Sequence, residues 1–152
     1  MAEAQAIVID LNVFLAAILK PEGPTAAKLL RLYTSGAKLY TPDYVREEFQ
    51  SVISQVAEKK HLDPEDLTSA FQSILNLATQ AKIQHYKGYL GEAGNLVNDP
   101  KDTPYVALAL KLREDHARVF ILTYNKKDYK SEELRERGII VLTPRELQET
   151  KI

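Results

Sequence analysis

Short apolar runs alternate with longer helical patterns along this chain, and that alternation restricts the fold more than any other feature. The clearest runs are AIVI at 6–9, RVFILT at 118–123 and IIVL at 139–142. Successive apolar and β-branched residues are typical of strands that are buried on both faces. Strands that alternate with helices predict a parallel sheet, so we predict an α/β/α fold of three layers.

The remaining segments complete this pattern. Two weaker runs, AKLY at 37–40 and KIQHY at 82–86, bring the predicted strands of a mainly parallel sheet to five. Helices are predicted over 13–19, 25–36, 41–60, 63–81, 103–115 and 131–138, with a loop over 88–102. Thr-Pro pairs at 41–42, 103–104 and 143–144 predict helix starts, because Thr caps free amides and Pro tolerates the first helical position.

The composition narrows the class of protein. With 152 residues, 45% of them hydrophobic, the chain suits one domain over 1–152. The net charge of −1 gives no global basic field, so nucleic-acid binding would need a local patch. No cysteine is present, which excludes disulfides, thiolate zinc sites and a Cys nucleophile. With no visible signal peptide or membrane span, we expect a cytoplasmic protein.

Polar side chains follow two of the predicted strands directly. Asp10 follows the first strand, and Asn125 and Asp128 follow the fourth. Because the carboxyl ends of parallel strands meet at one edge of a sheet, we expect these side chains to share that edge.

Three further carboxylates are placed to join them. Asp99 and Asp102 lie in the loop before the helix over 103–115. Glu48 borders the apolar stripe of the helix over 41–60, so it points partly toward the core. Clustered carboxylates repel one another unless a cation lies among them. The oxygen ligands favour Mg²⁺ or Mn²⁺, and such sites commonly hydrolyse phosphodiesters.

Five segments in this order carry a family resemblance. VIDLNVFLAAIL, PDYVREEF, NDPKDTPYVALAL, ILTYNKKDY and VLTPREL resemble the successive motifs of PIN-domain nucleases, the family of the VapC-type toxins and related ribonucleases. The resemblance covers nearly the whole chain. It implies metal-dependent hydrolysis of RNA by a toxin that is held by a small antitoxin. Homodimers are frequent in the family that the chain resembles, so a homodimer is also implied, and the helix over 63–81 could supply its interface.

The resemblance also implies roles for individual residues. Catalytic residues would be Asp10, Glu48, Asp102 and Asn125; metal ligands would be Asp10, Glu48, Asp102, Asp99 and Asp128. Glu48 would hold a second metal or orient the attacking water. Asn12 and Thr123 would brace the ligands by hydrogen bonds, and Lys126, Lys127 and Lys130 would contact RNA phosphates.

Two alternatives stay open at the level of sequence. Many PIN relatives carry Asp where Asn125 stands, so the chain could be an RNA- or protein-binding module whose site is weakened by Asn125. Separately, an offset in the alignment around 125–128 would make Asp128 the fourth ligand. A strand that ends in Asp also opens the haloacid-dehalogenase phosphatases. Their motif needs a second Asp where this chain has Asn12, which cannot act as a general acid.

Overall fold

Five parallel strands form the central sheet of the computed structural model, which describes residues 5–147. The strands are β1 (Ala6–Ile9), β2 (Lys38–Pro42), β3 (Thr79–Ala81), β4 (Val119–Leu122) and β5 (Ile139–Leu142). Their order across the sheet is β3-β2-β1-β4-β5, and every pairing is parallel. The predicted three-layer α/β/α architecture with five strands is confirmed.

Helices cover both faces of this sheet. They are α1 (Leu11–Leu19), α2 (Pro24–Thr34), α3 (Tyr44–Lys60), α4 (Pro64–Leu75), α5 (Ile83–Tyr86), α6 (Leu90–Gly94), α7 (Thr103–Leu112) and α8 (Ser131–Glu136). The chain moves from β1 out to β3 and then returns to β4 on the other side of β1. Because parallel crossovers are right-handed, this reversal places α1 to α4 on one face and α5 to α8 on the other.

The reversal of strand order occurs between β1 and β4. These strands pair in register from Ala6 with Val119 to Ile9 with Leu122, and all eight of their residues are buried. Their last residues are therefore side by side, and the residues that follow them emerge together. A crevice at such a reversal is where α/β proteins bind ligands.

Aromatic packing fixes α3 against the neighbouring helices. The rings of Phe49 and Phe71 stack with centroids 3.9 Å apart, and Phe14 meets Phe71 edge-on at 6.2 Å. Burying an aromatic side chain typically contributes about 1.5–3 kcal/mol. Because Phe49 is the residue after Glu48, this packing also fixes the position of the Glu48 backbone.

The predicted boundary around residue 80 was wrong. The helix predicted over 63–81 ends at Leu75, and the strand predicted at 82–86 is the short helix α5. The strand is instead β3, which pairs with β2 at the sheet edge. The Asp43 carboxylate accepts hydrogen bonds from Ile83 N (3.1 Å) and from the Tyr86 hydroxyl (2.7 Å), which stabilises a helical turn there.

Two other local predictions need correction. Thr41 does not cap a helix, because its hydroxyl donates to the carbonyl of Ile9 at 3.0 Å and α3 begins only at Tyr44. Thr103 is itself the first residue of α7, with Asp102 at the N-cap. The loop predicted over 88–102 contains the helix α6 and a 3₁₀ turn at Pro100–Asp102.

The third Thr-Pro pair behaves as a capping box. The Glu146 carboxylate accepts from Thr143 N at 2.9 Å, and Glu146 N donates to the Thr143 hydroxyl at 3.3 Å. Up to Leu147 this segment forms a turn, and the rest of the helix predicted there lies outside the described residues, as does the N-terminal start MAEA. Within residues 5–147, no helix is long and apolar enough to cross a membrane.

Candidate active site

A hydrogen-bonded network occupies the junction of β1 and β4. The hydroxyl of the fully buried Thr123 donates to Asp10 Oδ2 at 2.9 Å and accepts from Asn12 Nδ2 and Asn125 N, each at 3.1 Å. Asn12 Oδ1 in turn accepts from Tyr124 N at 3.0 Å. The residues that follow the two strands are thereby tied together, and Asp10 is held with its carboxylate at the sheet edge.

Two buried tyrosines each donate to one carboxylate. Tyr129 donates to Asp10 Oδ2 at 2.8 Å, and Tyr105 donates to Glu48 Oε1 at 2.5 Å. Both tyrosines are at most 3% exposed, so their hydroxyls need a partner inside the protein. These bonds hold the two carboxylates from two separate elements, since Tyr105 lies on α7 and Tyr129 follows β4.

Loop pairing brings three more acids together. Val97 and Tyr129 form an isolated antiparallel bridge, and Asn98 N donates to the carbonyl of Asp128 at 2.7 Å. This pairing places Asp99 and Asp128 on facing loops. Asp102 lies close to both, because the 3₁₀ turn folds Asp102 N back onto the carbonyl of Asp99 at 3.0 Å.

Carboxylate oxygens of Asp99, Asp102 and Asp128 all lie within 4.8 Å of one another. We call these three residues the acidic trio. Asp102 is buried, whereas Asp99 and Asp128 are half-buried at the rim. All three line one pocket of about 390 Å³ together with Asp10 and Glu48, and we call it the acidic pocket. Its apolar wall consists of Leu11 and Leu15 from α1 and Val52 and Val56 from α3.

Burial and mutual repulsion raise the pKa values of Asp102 and Glu48, and burial raises that of Asp10. Burial is the largest cause for Asp102, whose pKa rises to about 8, and the charges of Asp10 and Glu48 add to it. Burial likewise raises the pKa of Glu48 to about 7, although the hydrogen bond from Tyr105 opposes the rise. The pKa of Asp10 is raised by burial despite hydrogen bonds from Tyr129 and Thr123.

This donor set fits a hard divalent cation. Every charged group of the acidic trio offers oxygen, which Mg²⁺ and Mn²⁺ prefer, and the raised pKa values report negative charge that no nearby cation neutralises well. The acidic pocket contains two lysines, Lys59 and Lys101, and both are exposed. Asp99, Asp102 and Asp128 could hold the ion, and Asp10 and Glu48 line the same pocket.

The structure places the remaining predicted site residues in two groups. Asn125 lines the acidic pocket, with its backbone N–H bonded to Thr123. The three predicted RNA-binding lysines do not line it. Lys126 pairs with both carboxylate oxygens of Glu146 at 3.0 Å, Lys127 is exposed, and Lys130 precedes α8.

Sequence reasoning missed four residues of this site. Lys59 and Lys101 carry the positive charge at the pocket, but they resemble ordinary surface lysines in the sequence. Tyr105 and Tyr129 orient two of the carboxylates. Tyr105 left a signal, because a tyrosine inside the almost wholly apolar run YVALAL needs a buried partner for its hydroxyl.

The amino-acid sequence of this chain matches a known protein family. The profile of the PIN domain family matches residues 8–115, which contain the end of β1, the strands β2 and β3, and the helices up to α7. The chain belongs to the PIN domain family. Membership of the PIN domain family excludes the alternative of a haloacid-dehalogenase phosphatase. A search of curated protein sequences found no significant match.

A solved structure has the same fold. A chain in the crystal structure of VapBC2 from Rickettsia felis, bound to a DNA fragment from their promoter, aligns with a TM-score of 0.65. The sequences are 16% identical, and the alignment covers 91% of this PIN-domain chain and 98% of the other chain. At this identity the likeness concerns the fold alone, and it supports the α/β/α arrangement described above.

Proposed function

We propose that this PIN-domain protein is a metal-dependent ribonuclease of the cytoplasm that hydrolyses phosphodiester bonds with Mg²⁺ or Mn²⁺. The observation that carries the proposal is the convergence of Asp99, Asp102 and Asp128 beside the buried Asp10 at the reversal of strand order. A pocket with so many carboxylates repels a bare phosphate. It becomes attractive to a phosphodiester only when a divalent cation neutralises it.

Each residue has a separate task in this proposal. Bound Mg²⁺ or Mn²⁺ supplies positive charge for the phosphate oxygens and makes water more acidic. Asp99, Asp102 and Asp128 would hold the ion, and Asp10, which lines the same pocket, would support them. Glu48 also lines this pocket, where its carboxylate, held by Tyr105, would orient the attacking water and accept its proton. Asn12 and Thr123 keep Asp10 in place.

Cleavage of a mixed RNA pool tests this proposal. The protein would be assayed with Mg²⁺, with Mn²⁺ and with EDTA, beside Asp10→Asn, Asp102→Asn and the matched control Asp115→Asn. Asp115 is exposed just after α7, at the opposite end of the strands. We expect cutting that needs a metal, is lost in the first two variants and persists in the control. Equal cutting by all variants would assign the activity to a contaminant.

A result without any cutting would favour the alternative function. If the folded wild type binds RNA but does not cleave it with either metal, the chain is a binding module weakened at Asn125. The variant Asn125→Asp separates the two readings, because it adds the charge that a weakened metal site would lack. Recovery of cleavage in this variant would locate the weakness at residue 125.

We further propose that the protein is the toxin of a toxin–antitoxin pair. The apolar wall of the acidic pocket, which includes Leu15, Val52 and Val56, suits a peptide segment that carries apolar side chains and a basic residue. Such a segment would fill the pocket and exclude RNA. Expression of this protein alone in bacteria should slow growth, and Asp102→Asn should relieve the effect.

Homodimerisation is a separate proposal. The apolar residues Leu67, Phe71 and Leu75 of α4 are buried against the same chain, so this helix offers little apolar surface to a partner copy. Larger exposed apolar side chains are Leu30 and Tyr33 on α2. Sedimentation equilibrium of the purified protein would give the oligomeric state, and a concentration-independent monomer mass would refute the dimer.

A further inference from the structure

A second pocket lies beside the acidic pocket, and two consecutive residues of the chain line the two pockets. Tyr124 lines this second pocket, whereas the next residue, Asn125, lines the acidic pocket. Consecutive Cα atoms are about 3.8 Å apart, so one extended polymer can contact both pockets. The second pocket has a volume of about 450 Å³ and is formed by one side of α2 together with Tyr124 and the turn after β5.

Positive charge distinguishes this pocket, which we call the basic pocket. Lys28 and Arg31 lie about one turn apart on α2, and Arg145 comes from the turn after β5. Among the described residues that line it, none is acidic. The Lys28 ammonium donates to the carbonyl of Leu147, which ties α2 to the turn that carries Arg145. The neighbouring acidic pocket has the opposite charge, so the two pockets suit different parts of one ligand.

Tyr124 lines the basic pocket, and hydrogen bonds hold both its side chain and its backbone. Its backbone N–H donates to Asn12 Oδ1 at 3.0 Å, and its hydroxyl is hydrogen-bonded to the hydroxyl of Thr25. Tyr124 is nevertheless 44% exposed, which is unusual for an aromatic side chain anchored at both ends. A fixed, exposed ring beside cations is the combination with which proteins bind single-stranded nucleic acid, because bases stack on the ring and phosphates meet the cations.

We infer that the basic pocket binds a nucleotide that flanks the cleaved bond of a single-stranded RNA. Tyr124 stacks on its base, and Arg31 and Arg145 contact its phosphate. This inference rests on the proposed function, since it takes the acidic pocket as the place of the cleaved phosphodiester. It assigns the main RNA contacts to Arg31, Arg145 and Tyr124, in place of the lysines Lys126, Lys127 and Lys130 that the sequence predicted.

Binding of a fluorescent single-stranded RNA oligonucleotide tests the inference. All proteins carry Asp102→Asn, so that none cleaves the probe. Arg31→Ala combined with Arg145→Ala should raise the Kd about tenfold at moderate salt and lower the slope of log Kd against log salt by about 1.4, or 0.7 for each lost contact. Tyr124→Ala should raise the Kd about fivefold or more, as expected for one lost stacked base.

The matched control removes two cations from the opposite end of the strands. Lys38 opens β2 and Arg118 precedes β4, so Lys38→Ala combined with Arg118→Ala should leave both the Kd and the salt slope unchanged. Should Arg31→Ala prevent folding, Arg145→Ala alone provides the test, because Arg145 is exposed in a turn. Its expected loss of salt slope is about 0.7.

Two outcomes would overturn the inference. One is an unchanged Kd and salt slope in basic-pocket variants that keep the melting temperature of their parent. The other is unchanged RNA binding with weakened binding of a poly-glutamate peptide, which would assign the pocket to an acidic protein segment. Neither outcome depends on cleavage. The absence of nuclease activity in the wild type would refute the proposed function and leave this binding test interpretable.

Discussion

The carboxylates of the acidic pocket are held in two different ways. Asp10 and Glu48 each accept a hydrogen bond from a buried tyrosine, and Asp10 also accepts one from Thr123. In the acidic trio, Asp99 instead accepts from Lys101 N within its own turn, and carboxylate oxygens of the three residues lie within 4.8 Å of one another. The first pair is oriented by hydrogen bonds from the protein, whereas the trio contains repulsion that protonation or a bound cation relieves.

This difference separates positioning from charge. Hydrogen bonds keep Asp10 and Glu48 in place whether or not an ion is bound, so they define the geometry of the pocket in advance. The trio lies on loops that pair through residues 97–98 and 128–129. Its members gain a common partner when a cation binds. Removal of a trio charge and removal of a tyrosine hydroxyl should therefore have distinct effects on metal affinity and on stability.

The largest effect should come from the buried member of the trio. Asp102→Asn keeps the shape of the side chain but removes the charge at the centre of the cluster. We expect RNA cleavage to fall by more than about a hundredfold, beyond the ten- to hundredfold loss that is usual for residues that only orient a ligand. Initial rates at saturating Mn²⁺ provide the measurement. Glu136→Gln on α8 removes an exposed carboxylate as the control, and an equal loss there would contradict the assignment.

Loss of a tyrosine hydroxyl should have the next largest effect. Tyr129→Phe leaves Asp10 with the hydroxyl of Thr123 but without one of its buried partners. We expect activity and metal affinity to fall about ten- to hundredfold, and the pH at which activity appears should rise because the pKa of Asp10 rises further. Isothermal calorimetry with Mn²⁺ and a pH–rate profile would measure both.

Tyr105→Phe offers the parallel test on Glu48, and Tyr33→Phe on the exposed face of α2 is the control for a lost hydroxyl. If either buried variant changed only the melting temperature, with an unchanged pH profile, its tyrosine would be part of the core and not a positioning residue.

A third effect concerns stability without metal. In the folded protein the pKa of Asp102 is raised to about 8 and that of Glu48 to about 7, far above their ordinary values in the unfolded chain. At a pH between the ordinary pKa values of the unfolded chain and the raised pKa values of the folded protein, the folded form holds more protons than the unfolded form. The free energy of unfolding must therefore fall as pH rises from about 5 to about 8, after which it levels off.

Urea titrations in EDTA at pH 5.5 and pH 8.5 would show this fall, and we expect it to exceed about 1 kcal/mol, the value of one pKa unit. Saturating Mg²⁺ should remove most of it, because the ion binds the deprotonated folded form. Asp102→Asn should be more stable than the wild type at pH 8.5 in EDTA. A free energy that rises with pH in the metal-free wild type would contradict the repulsion within the pocket.

The sequence predicts one side of the sheet far better than the other. The strands β1, β4 and β5 are continuous apolar runs, and continuous runs predict strands buried on both faces, so the edge at Asp10 and Thr123 could be anticipated. At the other side, TQA at 79–81 has no apolar run, and its pairing with β2 depends on tertiary contacts. A helix that stops at Leu75 and an Asp43 carboxylate that holds α5 leave no local signal.

The site shows the same limit at the level of single residues. The pattern of the strands and loops selected Asp10, Asp99, Asp102 and Asp128, because the ends of strands and the loops beside them are places where chain position predicts spatial position. The basic pocket could not be found in this way. Lys28 and Arg31 on α2 meet Arg145 only because α2 packs near the turn after β5, a contact between segments more than 100 residues apart.

The smallest effect should come from Asn125, and it decides whether residue 125 belongs with the trio. Asn125 is exposed and lines the same pocket as the trio. Asn125→Asp adds a sixth carboxylate to the five that line the pocket, which should tighten Mn²⁺ binding about two- to fivefold, the size of a solvent-screened ion pair. Without metal, the same variant should be less stable than the wild type at pH 8.5, because the new charge adds to the repulsion.

The control is Asn125→Ala, which adds no charge. It should change the Mn²⁺ affinity by no more than about twofold and should not lower the stability at pH 8.5. Calorimetry with Mn²⁺ on the three proteins would measure the first effect. Unchanged binding by Asn125→Asp would mean that residue 125 turns away from the ion, and that Asp128 alone carries the charge of this loop to the site.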